Sequence, residues 1–189
     1  MSYIILKEYP NTTIVTDSVT STSVKKWIED LGGKHHRFKR GYKNVINESI
    51  RLNKEGISSE LALETSGHGA LKENYFLDDG AYQISKILIH MSKNGKNISN
   101  LIDKFEDPKD SIEFRPLITL NNFSFYADEI LLKFKKYVEE HNSWNLTENN
   151  YEGVHAYFKN GWILMRKSLH DPMIPINIES DIVDGTKKI

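Results

Sequence analysis

The first hundred residues alternate short β-rich runs with amphipathic helical runs, and this alternation constrains the fold more than any other feature. The later helical runs repeat their apolar residues at the i, i+3, i+4 spacing of one helix face, and residues 3–9 are typical of the tail of a helix that ends at Pro10. The β-rich runs are short and bounded by turn residues. The strand-like runs are residues 12–17, 35–39, 60–64 and 69–72, and the helical runs are residues 3–9, 24–31, 42–50 and 81–91. This alternation predicts an α/β lobe with four strands.

The pattern changes beyond residue 105. Residues 105–120 are charged and interrupted by Pro108 and Pro116, which is typical of a linker. An amphipathic helical run at 127–138 follows, and then three strand-like runs, at 153–158, 162–166 and 175–179. We therefore predict a second, α+β lobe with a largely antiparallel sheet, and we divide the chain into residues 1–107 and 108–189.

Charge and cysteine content exclude several classes of protein. Lys and Arg number 25 against 26 Asp and Glu, so the chain has no broad positive field to draw it onto nucleic acid or anionic lipid. Cysteine is absent, which excludes disulfides, thiol nucleophiles and thiolate metal sites in these residues. No signal-peptide pattern is present at the start. We expect a cytoplasmic protein that binds neither nucleic acid nor a membrane.

A polar loop follows the strand-like run at 60–64 and reads Glu-Thr-Ser-Gly-His-Gly. Its glycines allow backbone conformations that are closed to other residues, so Glu64, Ser66 and His68 can converge at the end of a sheet, where α/β proteins usually bind ligands. A carboxylate and a hydroxyl suit sugar hydroxyls, and an imidazole suits proton transfer near neutral pH. The alternative interpretation is a tight polar turn without a ligand.

Two sharper interpretations of this loop fail on the residues present. A nucleophile elbow requires a glycine two positions before the serine, where Glu64 stands. A metal site built on Glu64 and His68 has no evident third ligand. Asp78 and Asp79, just before Gly80, are interpreted as caps of the following helix.

A second polar segment, residues 166–172, connects two strand-like runs of the second lobe. The planar guanidinium of Arg166 matches the geometry of phosphate oxygens, and Ser168 and His170, at alternate positions, can donate to the same anion. The segment therefore predicts a phosphate-binding loop. The alternative is a hairpin connection with a surface arginine.

The one basic run, residues 34–43, interleaves aromatic and basic residues as nucleic-acid-binding surfaces do. Alternation along a strand would place half of these side chains on the solvent face, and the balanced overall charge does not extend the patch. The run therefore does not predict a nucleic-acid interface.

Together these motifs resemble the third and fourth domains of the four-domain α-D-phosphohexomutase family, the phosphoglucomutases and phosphomannomutases. The third domain of that family has a Gly-Glu-x-Ser-Gly-His-type sugar loop and a downstream Asp-Gly; the matching residues are Glu64, Ser66, Gly67, His68, Asp79 and Gly80, with Leu63 at the first glycine. The fourth has an Asp-Gly-Val-Arg-like strand, a Gly-Trp strand and an Arg-x-Ser-Asn-Thr-x-Pro loop; the corresponding residues are 152–155, 161–162 and 166–172.

The resemblance implies a fold for each lobe. Residues 1–107 would form a mixed four-stranded sheet with flanking helices, as in the family's third domain. Residues 108–189 would form a largely antiparallel sheet with a helix, of the TATA-binding-protein-like type found in its fourth domain. The chain would then be the C-terminal half of a longer enzyme.

The resemblance also implies a chemistry. The family transfers phosphate reversibly between the C1 and C6 oxygens of a hexose, through a bisphosphorylated sugar, with an active-site phosphoserine and one Mg²⁺. The Ser-His-Asn-type phosphoserine loop and the Asp-x-Asp-x-Asp metal loop belong to the first two domains, and neither motif occurs in these 189 residues. We therefore expect no turnover by this chain alone, no cofactor in it, and Mg²⁺ in the full-length parent. Its expected partners are a hexose phosphate, such as a mannose or glucose phosphate, and the N-terminal domains of the parent.

Residue roles follow from the matched motifs. Glu64 and Ser66 would hold sugar hydroxyls, and His68 would be the general acid/base. The non-reacting phosphate would contact the remaining matched positions, Arg166, Ser168 and His170. In this chain Leu169 and His170 replace the family's Asn and Thr, and Tyr42 stands where some members have a histidine. Weaker candidates for contact with the anion are Lys39, Tyr42 and Lys43. A standalone phosphosugar-binding module without catalysis is the alternative function.

Overall fold

The four strand-like runs of the N-terminal region form one mixed sheet. The computed structural model describes residues 1–95, 97–168 and 171–189. The strands of this sheet are β1 (Thr13–Thr16), β2 (Lys34–Arg37), β3 (Leu61–Leu63) and β4 (Gly69–Leu71), in the order β2-β1-β3-β4. β1 pairs in parallel with β2 and β3, and β4 is antiparallel to β3. The predicted mixed four-stranded sheet is therefore confirmed.

Helices cover both faces of this sheet because successive side chains of a strand point to opposite sides. On one face the helices α1 (Ser2–Glu8) and α2 (Thr22–Asp30) contribute to a core of Ile5, Leu6, Ile14, Ile28, Leu61 and Leu71. On the other face, α3 (Tyr42–Lys54) contributes to a core of Val15, Val45, Ile46, Leu52, Ala62 and Ala70. The result is a three-layer α/β/α unit.

The helix α4 (Gly80–Asn94) begins and ends at residues with a clear local role. The Asp79 carboxylate accepts a hydrogen bond from the Tyr82 backbone N–H at 3.0 Å, and Gly95 ends the helix in the left-handed conformation. The predicted cap at Asp79 is therefore confirmed. The apolar face that periodicity assigns to this helix is largely exposed, since Ile84 is 61% and Leu88 58% exposed.

The second unit is an antiparallel sheet covered by one helix. Its strands are β5 (Asp110–Phe114), β6 (Trp144–Leu146), β7 (Val154–Phe158), β8 (Gly161–Met165) and β9 (Ile176–Ser180), in the order β5-β9-β8-β7-β6. The helix α5 (Phe123–Glu140) buries Val138 against Ala156, Ile163 and Ile178. The predicted α+β lobe with a largely antiparallel sheet is confirmed. The two units divide between Glu106 and Asp107.

Two elements of the second unit were not predicted. The expected linker at residues 105–120 contains β5, which pairs along its full length with β9. This strand is an edge strand, and such strands tolerate charged residues on their exposed surface, so its sequence looks like a linker. The other missed element, β6, has only three residues and shows no alternation long enough to recognise.

Candidate functional site

The carboxyl ends of three parallel strands meet at one edge of the first sheet. Asp17 follows β1, the segment 38–41 follows β2, and the polar loop 64–68 follows β3. Because β4 is antiparallel, it begins at this same edge, with Gly69 paired to Leu63. Ligands of α/β proteins bind at this edge, so the fold places the polar loop where a ligand site is expected.

The loop between β3 and β4 closes as a hydrogen-bonded turn. The Glu64 backbone N–H donates to the His68 carbonyl at 2.8 Å, and the Gly67 N–H donates to the Glu64 carbonyl at 2.9 Å. Gly67 has φ of +94°, a conformation that favours glycine. The side chains of Glu64, Ser66 and His68 are thereby presented from one short, ordered turn.

The Glu64 carboxylate connects the loop to the segment after β2. One oxygen, Oε1, accepts the Gly41 backbone N–H at 3.0 Å and lies 3.9 Å from Arg40 Nε. The other oxygen, Oε2, accepts the Ser66 hydroxyl at 2.8 Å. The Glu64 side chain is 8% exposed, whereas Ser66 lies at the surface. The two predicted sugar-binding residues are therefore in direct contact.

His68 is held between an acidic and an aromatic side chain. Its Nδ1 lies 2.7 Å from Asp78 Oδ2, and its ring stacks on Tyr42 with centroids 5.2 Å apart and planes inclined by 28°. The His68 side chain is 53% exposed. The ammonium of Lys43 lies 5.9 Å from the centre of the Tyr42 ring. His68, the predicted acid/base residue, thus lies beside Tyr42 and Lys43, two of the weaker candidates for contact with the anion.

Lys39, the remaining weaker candidate, has a different environment. It is exposed on the segment after β2, and its ammonium is 6.0 Å from the centre of the Phe38 ring. Its role as a contact for the anion stays a prediction.

The predicted phosphate-binding loop belongs to the second unit. The Arg166 backbone N–H donates to the Pro175 carbonyl at 3.1 Å, and the Ser168 N–H donates to the Met173 carbonyl at 3.1 Å, so both ends of the loop are held together. The Ser168 hydroxyl oxygen accepts the Asp171 backbone N–H at 3.2 Å. His170 and Leu169 lie outside the described residues.

Lys167, which lies between Arg166 and Ser168, was not among the site residues predicted from the sequence. Lys167 Nζ lies 2.7 and 2.9 Å from the two carboxylate oxygens of Asp128 on α5 and 3.3 Å from the Ser124 hydroxyl. This ion pair links the loop to the helix that covers the sheet.

The described residues do not form a metal site. Within residues 1–95, 97–168 and 171–189, no three Asp, Glu or His side chains lie close enough together to bind one ion. Mg²⁺ requires a compact set of oxygen ligands, so the described residues do not fit it. In the same part of the chain, no helix is long and apolar enough to cross a membrane.

Four residues of this site were missed by sequence reasoning. Asp78 was interpreted as a helix cap, but its carboxylate contacts His68 and the Gly69 backbone N–H instead. Arg40 and Gly41 contact Glu64 from another strand end, and Asp17 anchors Thr65. For Asp17 the available signal was position, because a polar residue directly after a buried parallel strand lies at the edge where ligands bind.

Comparison with known families decides the assignment. Residues 1–107, which hold the four-stranded sheet and the polar loop, match the family model described as phosphoglucomutase/phosphomannomutase, alpha/beta/alpha domain III. The chain belongs to the phosphoglucomutase/phosphomannomutase family. This match confirms the family resemblance that the sequence motifs indicate.

Relatives in this family are longer than the chain. A phosphomannomutase/phosphoglucomutase from Pseudomonas putida is 28% identical over 94% of this chain and 36% of its own length. A crystal structure of a phosphoglucomutase/phosphomannomutase family protein from Burkholderia thailandensis matches 100% of this chain and 37% of its own, with a TM-score of 0.76 at 20% identity. The N-acetylphosphoglucosamine mutase of Aspergillus fumigatus, solved with GlcNAc-6P and magnesium, matches 99% of this chain and 43% of its own, with a TM-score of 0.59 at 12% identity. The chain therefore spans well under half the length of these relatives, and the two structures share its fold.

Proposed function

We propose that this chain supplies the sugar-binding and phosphate-binding part of a phosphomannomutase/phosphoglucomutase, an intramolecular phosphotransferase that exchanges phosphate between the C1 and C6 oxygens of a hexose. The observation that carries the proposal is the loop 64–68, whose polar side chains are held at the carboxyl edge of parallel strands within the region that matches domain III. This edge is the usual ligand site of such sheets.

Glu64 and Ser66 would hold the sugar hydroxyls. Ser66 donates its proton to Glu64, so its oxygen keeps lone pairs that can accept from a sugar hydroxyl. The Glu64 carboxylate accepts from Gly41 and Ser66, and an ionised carboxylate offers about four acceptor positions, which leaves room for a further donor. Such a pair of acceptors can bind vicinal hydroxyls in either direction, which suits a sugar that presents first C1 and then C6.

His68 would move the proton of the reacting hydroxyl. Its Nδ1 faces Asp78, so Nε2 is the nitrogen available to a ligand. When the sugar oxygen bonds to phosphorus and the bond between phosphorus and the donor oxygen breaks, the hydroxyl proton passes to Nε2. In the reverse direction the ring returns this proton.

Arg166 and Ser168, with His170, would bind the phosphate that does not react. The guanidinium of Arg166 offers paired N–H donors. The Ser168 hydroxyl oxygen accepts the Asp171 backbone N–H, and a hydroxyl that accepts one hydrogen bond can still donate its proton to a phosphate oxygen. Binding the remote phosphate would position the reacting end of the sugar. The complex of the fungal relative with GlcNAc-6P supports a hexose phosphate as the ligand class.

The reacting phosphate would come from a phosphoserine on another domain of the parent, and Mg²⁺, which supplies charge stabilisation there, would be held outside these residues. We therefore expect the chain alone not to convert hexose 1-phosphates to 6-phosphates. The alternative is a standalone phosphosugar-binding module. Adding separately produced N-terminal domains of the parent should restore conversion in the first case, whereas binding without any restored conversion supports the second.

The binding role itself is tested by calorimetric titration of the 189-residue chain with mannose 1-phosphate and glucose 1-phosphate. Arg166→Ala should weaken binding by about 1.5 to 3 kcal/mol, roughly tenfold to a hundredfold, because a charge-assisted contact is lost. The matched control is Lys159→Ala, which removes one positive charge from the exposed turn at the opposite end of β8 and should leave the affinity unchanged. Equal affinities for wild type and Arg166→Ala would remove Arg166 from the site.

A further inference from the structure

His68 and Asp78 form a hydrogen-bonded pair in which the acceptor is itself fixed. Asp78 Oδ2 lies 2.7 Å from His68 Nδ1, and Asp78 Oδ1 accepts the Gly69 backbone N–H at 3.1 Å. The Asp78 backbone also forms a β-bridge with Ala70. Both carboxylate oxygens therefore have a defined donor, and the carboxylate cannot turn away from the ring without losing the Gly69 contact.

This arrangement determines which ring nitrogen carries the proton. An ionised carboxylate has no proton to donate, so the nitrogen that faces it must be the donor. Neutral His68 then has its hydrogen on Nδ1 and an acceptor lone pair on Nε2. A neutral imidazole that serves as a base needs this lone pair toward its substrate, because the other tautomer would present an N–H there.

The other neighbours of the ring are compatible with this assignment. Tyr42 stacks on the face of the ring, whereas the ring nitrogens bind partners in the plane of the ring, so the stack does not compete with Asp78. The ammonium of Lys43 lies 5.9 Å from the centre of the Tyr42 ring. The proton position is therefore set by Asp78.

We propose that Asp78 is a positioning residue: by accepting the Nδ1 proton it fixes the tautomer and the orientation of His68, so that Nε2 is presented as the base. The proposal rests on the proposed acid/base role of His68. Once Nε2 has taken a proton, each ring nitrogen carries one, and the positive charge of the ring faces the Asp78 carboxylate.

The substitution Asp78→Asn gives a sharp test because the Gly69 N–H selects the orientation of the new amide. The amide oxygen must accept from Gly69, which turns the amide NH₂ toward His68 Nδ1. Nδ1 must then be an acceptor, so the ring proton is expected to move to Nε2. Asp78→Asn should therefore invert the tautomer, not merely loosen the ring.

The measurement is the ¹⁵N chemical shifts and long-range couplings of the His68 ring in the ligand-free 189-residue chain at pH 8, well above the ordinary imidazole pKa of about 6.5. Wild type should be mostly Nδ1–H, Asp78→Asn mostly Nε2–H, and Asp78→Glu should restore part of the Nδ1–H form. Asp79→Asn is the matched control, because this neighbouring carboxylate caps α4 and does not contact the ring.

Two results would overturn the proposal: a wild-type ring that is mostly Nε2–H, or an unchanged tautomer in a folded Asp78→Asn protein. The tautomer of His68 in the wild-type spectrum tests the proposal even if the Asp78→Asn protein does not fold. Because the ring is observed without ligand, this failure is distinct from a failure of the proposed function, which would appear as absent binding of hexose phosphates.

Discussion

The carboxylate of Asp17, at the end of β1, accepts two hydrogen bonds from Thr65 in the polar loop after β3. Asp17 Oδ2 lies 3.3 Å from the Thr65 backbone nitrogen and 2.7 Å from its hydroxyl oxygen, while Oδ1 accepts the Thr20 hydroxyl at 2.7 Å. Asp17 is 0% exposed. A carboxylate is this deeply buried only when donors satisfy it, so the position of the loop and the burial of Asp17 depend on each other.

Asp17→Asn should destabilise the chain and loosen the loop. One acceptor oxygen becomes an NH₂ group that faces donors, and we expect a loss of about 1 to 3 kcal/mol in the free energy of unfolding. Urea denaturation monitored by circular dichroism measures this. Asp30→Asn, at the end of α2 where the side chain is 60% exposed, should change stability by less than about 0.5 kcal/mol. Equal losses in the two variants would argue against a special role for the buried carboxylate.

His35 makes stability depend on pH. Burial lowers its pKa from 6.5 to about 3, and the charges of Arg37, Lys25 and His36 act in the same direction. The unfolded chain therefore binds a proton at this site between pH 6.5 and 3 while the folded chain does not, so the free energy of unfolding falls as the pH is lowered through that window.

His35→Gln removes this titration and can keep a hydrogen bond to Thr16, which the wild-type ring contacts at 2.7 Å. Between pH 6.5 and 5, above the range in which most carboxylates titrate, the loss of stability with acidification should be smaller in this variant than in wild type. Denaturation midpoints at several pH values measure the two slopes. Identical slopes would show that His35 protonates equally in both states.

Gly153 is required by the backbone that supports Arg166. Its φ is +58°, and a Cβ at this position would lie 2.2 Å from the Met165 carbonyl oxygen and 2.9 Å from the Arg166 Cα. Gly153→Ala should therefore cost about 3 kcal/mol or more, beyond the ~1 to 2 kcal/mol of a left-handed alanine alone. Gly56→Ala is the control, because φ there is +82° and no atom lies within 4 Å of the added Cβ. Thermal unfolding compares them, and similar melting temperatures would contradict the steric account.

The architecture of each unit was predictable because its elements carry strong periodicity. The apolar spacing in α2 and α3 and the short β-rich runs at β1 and β3 follow the rules of amphipathic helices and buried strands. The edge strand β5 was not predictable, since it is exposed along most of its length and is rich in charged and polar residues. Periodicity also could not show that the apolar face of α4 is exposed. The spacing of apolar residues identifies the apolar face of a helix, but it does not show whether another element packs against that face.

The candidate site was only partly predictable for a related reason. Glu64, Ser66 and His68 are close in sequence, so a short polar loop identifies them together. Arg40, which lies near Glu64, Asp78, which contacts His68, and Asp17, which holds the neighbouring Thr65, come from other parts of the chain. Their contacts depend on the order of strands in the sheet. The spacing of residues along the sequence does not determine the order of strands in the sheet.

The central proposal is that the polar loop 64–68 takes part in binding a phosphosugar. Titration of the ¹⁵N-labelled chain with mannose 1-phosphate, followed by backbone amide shifts, tests it most directly, with mannose and inorganic phosphate as separate controls. We predict saturable shifts at residues 64–69 with the sugar phosphate, and Glu64→Gln should weaken this response. The absence of saturable shifts at 64–69, or the same shifts there with inorganic phosphate alone, would contradict this account.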